Sequence, residues 1–148
     1  MAKINPHIHF NGNTEEAFEF YQSVLGGDLT NIMRFRDLQV EGFSFPEEEL
    51  TKIMHISLVV EGVVLLTGSD VPSMLGVVSE AENRSKISLH AASREEADAF
   101  FSGLSANAVE VEFPMGESPW GSYFGAFRDR FGIEWMINYR DNFQTPTI

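Results

Sequence analysis

The chain has no cysteine, which excludes disulfides, thiolate-ligated zinc and a thiol nucleophile. Cations are scarce as well: ten Lys and Arg stand against 22 Asp and Glu, a formal net charge of -12. Such a surface repels phosphate backbones and anionic lipid head groups, so neither nucleic acid nor membrane is expected as a partner. No apolar run approaches the ~20 residues of a membrane span. The N-terminal stretch Met1-Ala-Lys-Ile-Asn-Pro-His-Ile-His-Phe10 places histidines and an asparagine where a signal peptide needs an unbroken apolar core, so a cytoplasmic protein is expected. Any catalysis must rest on hydroxyl, carboxylate, a bound metal or one of only four histidines.

What is present is ordinary for a soluble globular chain: 148 residues, 43% hydrophobic, enough for one well-buried domain. The most informative stretch is Asp129-Arg-Phe-Gly-Ile-Glu-Trp-Met-Ile-Asn138, a tight turn followed by a strand. Alternation of Ile133, Trp135 and Ile137 buries one face and leaves Glu134, Met136 and Asn138 on the other. From the N-terminus, Ile4 to Phe10 reads as a strand with Ile4, Ile8 and Phe10 in phase and Asn5, His7 and His9 opposite. Asn13 or Thr14 caps a helix with Glu15 and Glu16 in its first turn, an apolar stripe through Ala17, Phe18, Phe20, Tyr21, Val24 and Leu25, and a stop at Gly26-Gly27. Strands follow over Leu29 to Phe35, Met54 to Val60 and Val63 to Thr67, the last two joined by Glu61-Gly62. An acidic excursion, Asp37 to Lys52, interrupts them.

After a connector containing Pro72 and Gly76 the pattern restarts. Lys86 to Ala92 is a strand, and Ser93-Arg-Glu-Glu-Ala-Asp-Ala-Phe-Phe101 repeats Asn13-Thr-Glu-Glu-Ala-Phe-Glu-Phe-Tyr21. Val109 to Phe113, Tyr123 to Arg128 and Ile133 to Tyr139 supply three more strands. This self-similarity marks a duplicated βαβββ unit, with module one at about 1–70, a connector at about 71–84 and module two at about 85–140 of a single domain spanning 1–148. One helix covers only one face of each sheet, so the other needs a ligand, the other module or a second copy. The expected fold is α+β, two βαβββ modules forming a cupped mixed sheet around a cavity, in a homodimer.

The ordered set Asn11-Gly-Asn-Thr-Glu-Glu-Ala-Phe-Glu-Phe-Tyr21, His55, Gly68-Ser-Asp70, Trp120-Gly121 and Asp129 to Asn138 resembles the vicinal oxygen chelate superfamily. That group includes glyoxalase I, extradiol dioxygenases and the fosfomycin and bleomycin resistance proteins, and the chain is most similar to its PhnB-like branch. The resemblance implies paired βαβββ modules and commonly a homodimer. That branch often carries a demethylubiquinone methyltransferase label, but the chain has no glycine-rich strand-turn-helix for the nucleotide part of a methyl donor. In metal-using relatives four cavity-facing His and Glu side chains hold a divalent ion that acts as a Lewis acid. Strand register carries those positions to Asn5, Leu66, Ser85 and Met136, a set that binds no hard or borderline cation well, so no metal cofactor is expected.

The ligand cavity is therefore expected to be lined by His7, His9, Leu66, Trp120, Glu134 and Met136, for a small-molecule ligand. The alternative is a relocated divalent-metal site built from His7, His9, His55 and Glu134, which would make the protein a metal-dependent lyase, isomerase or dioxygenase. His7 and His9 lie about 6.6 Å apart along a strand, a spacing that converges on one ion only with favourable rotamers. A further alternative is sequestration of a toxic or antibiotic molecule. Trp120 reads either as a stacking wall or as core, and Trp135 as core. Gly68-Ser69-Asp70 reads as turn chemistry. Arg34 and Arg36 offer cations to an anionic group, and Glu47-Glu48-Glu49 reads as a solvated face.

Overall fold

The computed structural model describes residues 3–38, 41–82 and 84–140. The first two residues of the N-terminal stretch, Gln39 and Val40 of the acidic excursion and Asn83 of the connector lie outside the described residues. The chain divides into two compact units, 1–79 and 80–148. In unit one, β1 (His7–Phe10) leads to α1 (Thr14–Leu25), then β2 (Asp28–Arg34), β3 (Ile53–Val60) and β4 (Val63–Asp70). Unit two repeats the order with β5 (Ile87–His90), α2 (Arg94–Leu104), β6 (Glu110–Glu117), β7 (Tyr123–Arg128) and β8 (Glu134–Tyr139). Each unit holds one four-stranded sheet, ordered β1-β4-β3-β2 and β5-β8-β7-β6. In both, the first strand pairs parallel with the last and the other pairings are antiparallel. These are two βαβββ modules of an α+β fold. No helix among the described residues is long and apolar enough to cross a membrane.

Each helix packs on one face of its own sheet through a close approach at a glycine. A Cβ on Gly68 of β4 would lie 2.6 Å from Cε1 of Phe18, and one on Gly125 of β7 would lie 2.8 Å from Cε2 of Phe101. Only a missing side chain lets these rings reach the strand backbone. Under α1, Phe18, Tyr21, Ile56, Leu58 and Leu66 form a continuous core, while Phe127, Trp135, Ile137 and Leu104 do so in unit two. Burying side chains of this size contributes about 1.5–3 kcal/mol each relative to exposure.

Several local expectations are corrected. β1 begins at His7, and Ile4 is 97% exposed rather than in the core. Gly68, Ser69 and Asp70 are not a turn: they continue β4 in parallel register with Ile8, His9 and Phe10. Asn13 holds the N-cap position of the first helix, as one of the two expected residues, but makes no side-chain capping bond. Asp70 does that work from the end of β4. Its Oδ1 accepts from the backbone N–H of Gly12 and Thr14, both at 3.0 Å, and from the Thr14 hydroxyl at 2.6 Å, while Oδ2 accepts from the Ile53 N–H at 2.8 Å. In unit two, Ser93 caps α2 locally by accepting from the Glu96 N–H at 3.0 Å. The Asp129 turn forms as expected, and its carboxylate is fully buried, accepting from the N–H of Phe131 and Ile133 and from the Trp135 indole.

The glutamate run is not one solvated face either. Glu49 is only 1% exposed; Oε2 sits 2.7 Å from Lys52 Nζ and Oε1 accepts from the Ser73 N–H at 3.2 Å. The contact with Lys52 is charge attraction at short range rather than a well-aligned hydrogen bond. The Lys52 ammonium, and after it the hydrogen bonding from Ser73, hold the Glu49 carboxyl below its ordinary pKa. Arg34 is likewise committed, in a two-pronged bond to Glu15 at 2.7 and 3.2 Å.

Candidate functional site

Because strand side chains alternate between faces, the close approach at Gly68 settles the parity of unit one. Leu66, Gly68 and Asp70 point toward α1, and Thr67 and Ser69 point to the helix-free face. Leu66 is 2% exposed and belongs to the core, so its expected place in a ligand cavity is corrected by one residue. The parallel register sets His7 beside Thr67 and His9 beside Ser69.

The helix-free face of unit one gathers three of the four histidines. The rings of His7 and His9 are 5.1 Å apart, edge to face, and those of His7 and His55 are stacked at 6.3 Å. Hydroxyls thread between them. His7 Nδ1 is 2.7 Å from Thr67 Oγ1, His7 Nε2 is 3.1 Å from Ser69 Oγ, and Ser69 Oγ is 3.2 Å from His9 Nδ1. His55 Nε2 lies 3.1 Å from Ser57 Oγ on its own strand. Asn5 joins the network through Thr67 Oγ1 at 3.1 Å. Burial first, then the neighbouring His9 and His55, lowers the pKa of His7 from its ordinary 6.5, so this ring is neutral at physiological pH.

At the ends of these strands lies a pocket of about 390 Å³, walled by Phe35, Phe45, Met54, Val71, Pro72 and Leu75, with His9, Ser69 and Asp70 as its polar side chains. Asp70 has already spent both carboxylate oxygens on α1 and β3, which leaves His9 and Ser69 to meet a ligand. Sequence reasoning missed the apolar walls, because they come from the residue that follows β2, the excursion, the start of β3 and the connector, stretches too short or irregular to show a period. The aromatic content of Phe43-Ser-Phe45 was the signal available; Phe35 and Phe45 pack at 4.8 Å.

Unit two presents different chemistry on its helix-free face. Met136 stands there between Ser88 and Ala126. Glu134 faces Arg128, with Nη2 at 3.0 Å, and Lys86 Nζ at 3.7 Å, so its carboxylate is occupied by two cations. Trp120 is 56% exposed and not core; it packs edge to face on Phe124 at 5.3 Å, and Phe124 in turn meets Phe113 at 5.9 Å. The three rings form an exposed aromatic strip.

The divalent ion used by relatives does not fit the four carried-over positions. Asn5 donates its amide nitrogen to Thr67 and the Pro6 carbonyl, which leaves a neutral amide oxygen as all it could offer an ion, Leu66 has no donor and faces α1, Ser85 offers a hydroxyl, and Met136 a soft thioether. Among the described residues, no group of three or more His, Asp or Glu is arranged to hold a metal ion.

Comparison with known proteins agrees with this architecture. The Escherichia coli (strain K12) protein YjdN is 29% identical over 147 residues, covering 91% of this chain and 93% of its own. The crystal structure of PA1353 from Pseudomonas aeruginosa superposes with a TM-score of 0.80 at 36% identity, covering 95% of this chain and 98% of that one. A PhnB protein from Bacillus cereus matches at a TM-score of 0.70 and 21% identity over 93% of this chain and 99% of its own. The family model of the Glyoxalase/Bleomycin resistance protein/Dioxygenase superfamily matches residues 3–137. With two βαβββ modules in the same order and a match over nearly its whole length, the chain belongs to that superfamily.

Proposed function

We propose that this protein binds a small organic molecule, in the manner of the bleomycin-resistance branch of its superfamily, at the pocket of unit one. The observation that carries this reading is the pocket itself: about 390 Å³, with six apolar walls and two available polar side chains, His9 and Ser69. Concave sites of about 300–1,000 Å³, mostly apolar with a few placed polar groups, are the usual form of small-ligand sites. Nothing in the donor set calls for a metal in this binding. The relocated-metal alternative loses its carboxylate, since Glu134 is held by Arg128 and Lys86.

A homodimer is part of the proposal. β6 exposes Val111 and Phe113, Val109 precedes it, and Trp120 lies beyond, an apolar surface of the kind that a second copy covers. Light scattering that returns a 16.6 kDa species at micromolar concentration would remove this part.

The test of the binding reading is a thermal-shift screen of compact apolar organics, run with chelator and with added divalent ions. A ligand at one hundred times its Kd stabilises by about 2.7 kcal/mol, a readily measured rise in Tm. Val71→Trp, which fills the pocket from its wall, should abolish the shift while leaving the fold intact. Hits unaffected by Val71→Trp would place binding elsewhere and sink the reading.

A further inference from the structure

The hydrogen-bond chain on the helix-free face of unit one has a direction, and the direction selects the ligand. Pro6 C=O can only accept, so the Asn5 amide nitrogen, 3.0 Å from it, must be the donor, and the same nitrogen donates to Thr67 Oγ1 at 3.1 Å. Thr67 has a single hydroxyl proton to give, and two acceptors compete for it. Pro6 O lies at 3.4 Å and His7 Nδ1 at 2.7 Å. Hydrogen bonds weaken as they lengthen, so the proton goes to His7, the nearer acceptor by 0.7 Å. With Nδ1 accepting, neutral His7 carries its own proton on Nε2 and donates it to Ser69 Oγ at 3.1 Å. Ser69 then spends its one proton on His9 Nδ1 at 3.2 Å. A neutral imidazole whose Nδ1 accepts must hold its proton on Nε2. His9 is on the pocket wall, and among the described residues its Nε2 has no protein partner.

We infer that His9 presents an Nε2–H donor to the pocket, so that the preferred ligand is an apolar molecule carrying an acceptor oxygen, a carbonyl or carboxylate, in preference to a hydrocarbon or a molecule whose only polar group is a donor. The inference rests on the pocket being the ligand site and adds the ligand class to it. Because His9 is tied to Asn5 through Thr67, His7 and Ser69, its tautomer is set by residues that never touch the ligand. His55 is outside the chain, since it bonds Ser57 on its own strand.

Two measurements test this. The first is the nitrogen-15 spectrum of the histidine rings at about pH 8, above the ordinary histidine range, with chelator present so that no ion competes for the rings. His7 and His9 should both be Nε2–H tautomers, with Nδ1 shifted by an accepted hydrogen bond, and Ser69→Ala should remove that shift at His9. An Nδ1–H tautomer at His9 overturns the inference. The second compares two molecules of one shape, acetophenone and α-methylstyrene, which differ by C=O against C=CH₂. The ketone should bind up to about tenfold more tightly, the worth of one neutral hydrogen bond, and its binding should shift His9 Nε2. The advantage should shrink in Ser69→Ala. Equal affinity overturns the ligand class while leaving the pocket; binding of neither compound, or binding unchanged in Val71→Trp, overturns the pocket itself and the ligand class with it.

Discussion

Asp70→Ala is the sharpest test of how unit one is held together, because a single carboxylate caps α1 and anchors the start of β3. It is 3% exposed and accepts four hydrogen bonds, from Gly12 N–H, Thr14 N–H, Thr14 Oγ1 and Ile53 N–H. Alanine removes all four. The Thr14 hydroxyl can rotate to another acceptor and water can reach the half-buried Gly12 N–H, so neither weighs heavily. The N–H groups of Thr14 and Ile53 lie in buried surroundings, and leaving each unsatisfied costs about 1–3 kcal/mol. Loss of an N-cap costs about 0.5–2 kcal/mol by itself and overlaps with the Thr14 contribution. The expected loss is about 3–5 kcal/mol, against a total of roughly 5–15 kcal/mol for a typical domain. At a urea dependence of about 2 kcal/mol per molar, the midpoint seen by circular dichroism should fall by about 2 M. Amide exchange should accelerate first in the opening turn of α1 and at Ile53. Asp70→Asn keeps one oxygen for the helix but turns an NH₂ toward the Ile53 N–H, so it should fall between wild type and alanine. A loss below about 1 kcal/mol for Asp70→Ala, or unchanged exchange at Thr14 and Ile53, would refute the reasoning.

Gly68→Ala should cost about 1–3 kcal/mol by overpacking, since its Cβ would stand 2.6 Å from the Phe18 ring; Phe18→Leu in the same chain should recover part of that loss, and no recovery would mean the clash lies elsewhere. For pH, His7 titrates below 6.5 in the folded protein because of burial, His9 and His55. In the window below 6.5 the unfolded chain therefore binds more protons than the folded one, so stability rises with pH through that window and levels off above it. Urea midpoints between about pH 5 and pH 8 should show this slope, and His7→Gln should flatten it. Zinc, nickel or manganese added to chelator-treated protein should leave no near-stoichiometric ion after dialysis, because ring nitrogens of His7, His9 and His55 are bonded to Thr67, Ser69 and Ser57 and, among the described residues, no three His, Asp or Glu converge to hold an ion. Tight retention that disappears in His9→Ala would instead restore the metal-dependent reading.

How much of this could be read from the sequence depends on whether a strand's two faces differ. In β8 they do: Ile133, Trp135 and Ile137 alternate with Glu134, Met136 and Asn138, and Trp135 is buried beneath its helix as expected. The paired helices were legible for the same reason, through a repeated Glu-Glu-Ala and aromatic pair. β4 begins Val63-Val64-Leu65-Leu66, apolar on both faces, and carries no period from which parity could be counted. Its register is decided by Phe18 closing on Gly68 and by the parallel pairing with β1, long-range contacts that no local pattern announces. Glu49 and Asp70 were misread similarly, because their partners, Ser73 and the start of α1, are distant in sequence; only Lys52 three residues after Glu49 was a local hint. The shift of one residue in β4 carries the chemistry with it. Counted from Leu66, β4 offers the histidines a side chain with no donor at all. Counted as it folds, it sets Thr67 beside His7 and Ser69 beside His9, and two hydroxyls with one proton each turn a pair of imidazoles into a chain of fixed direction that ends on the pocket wall.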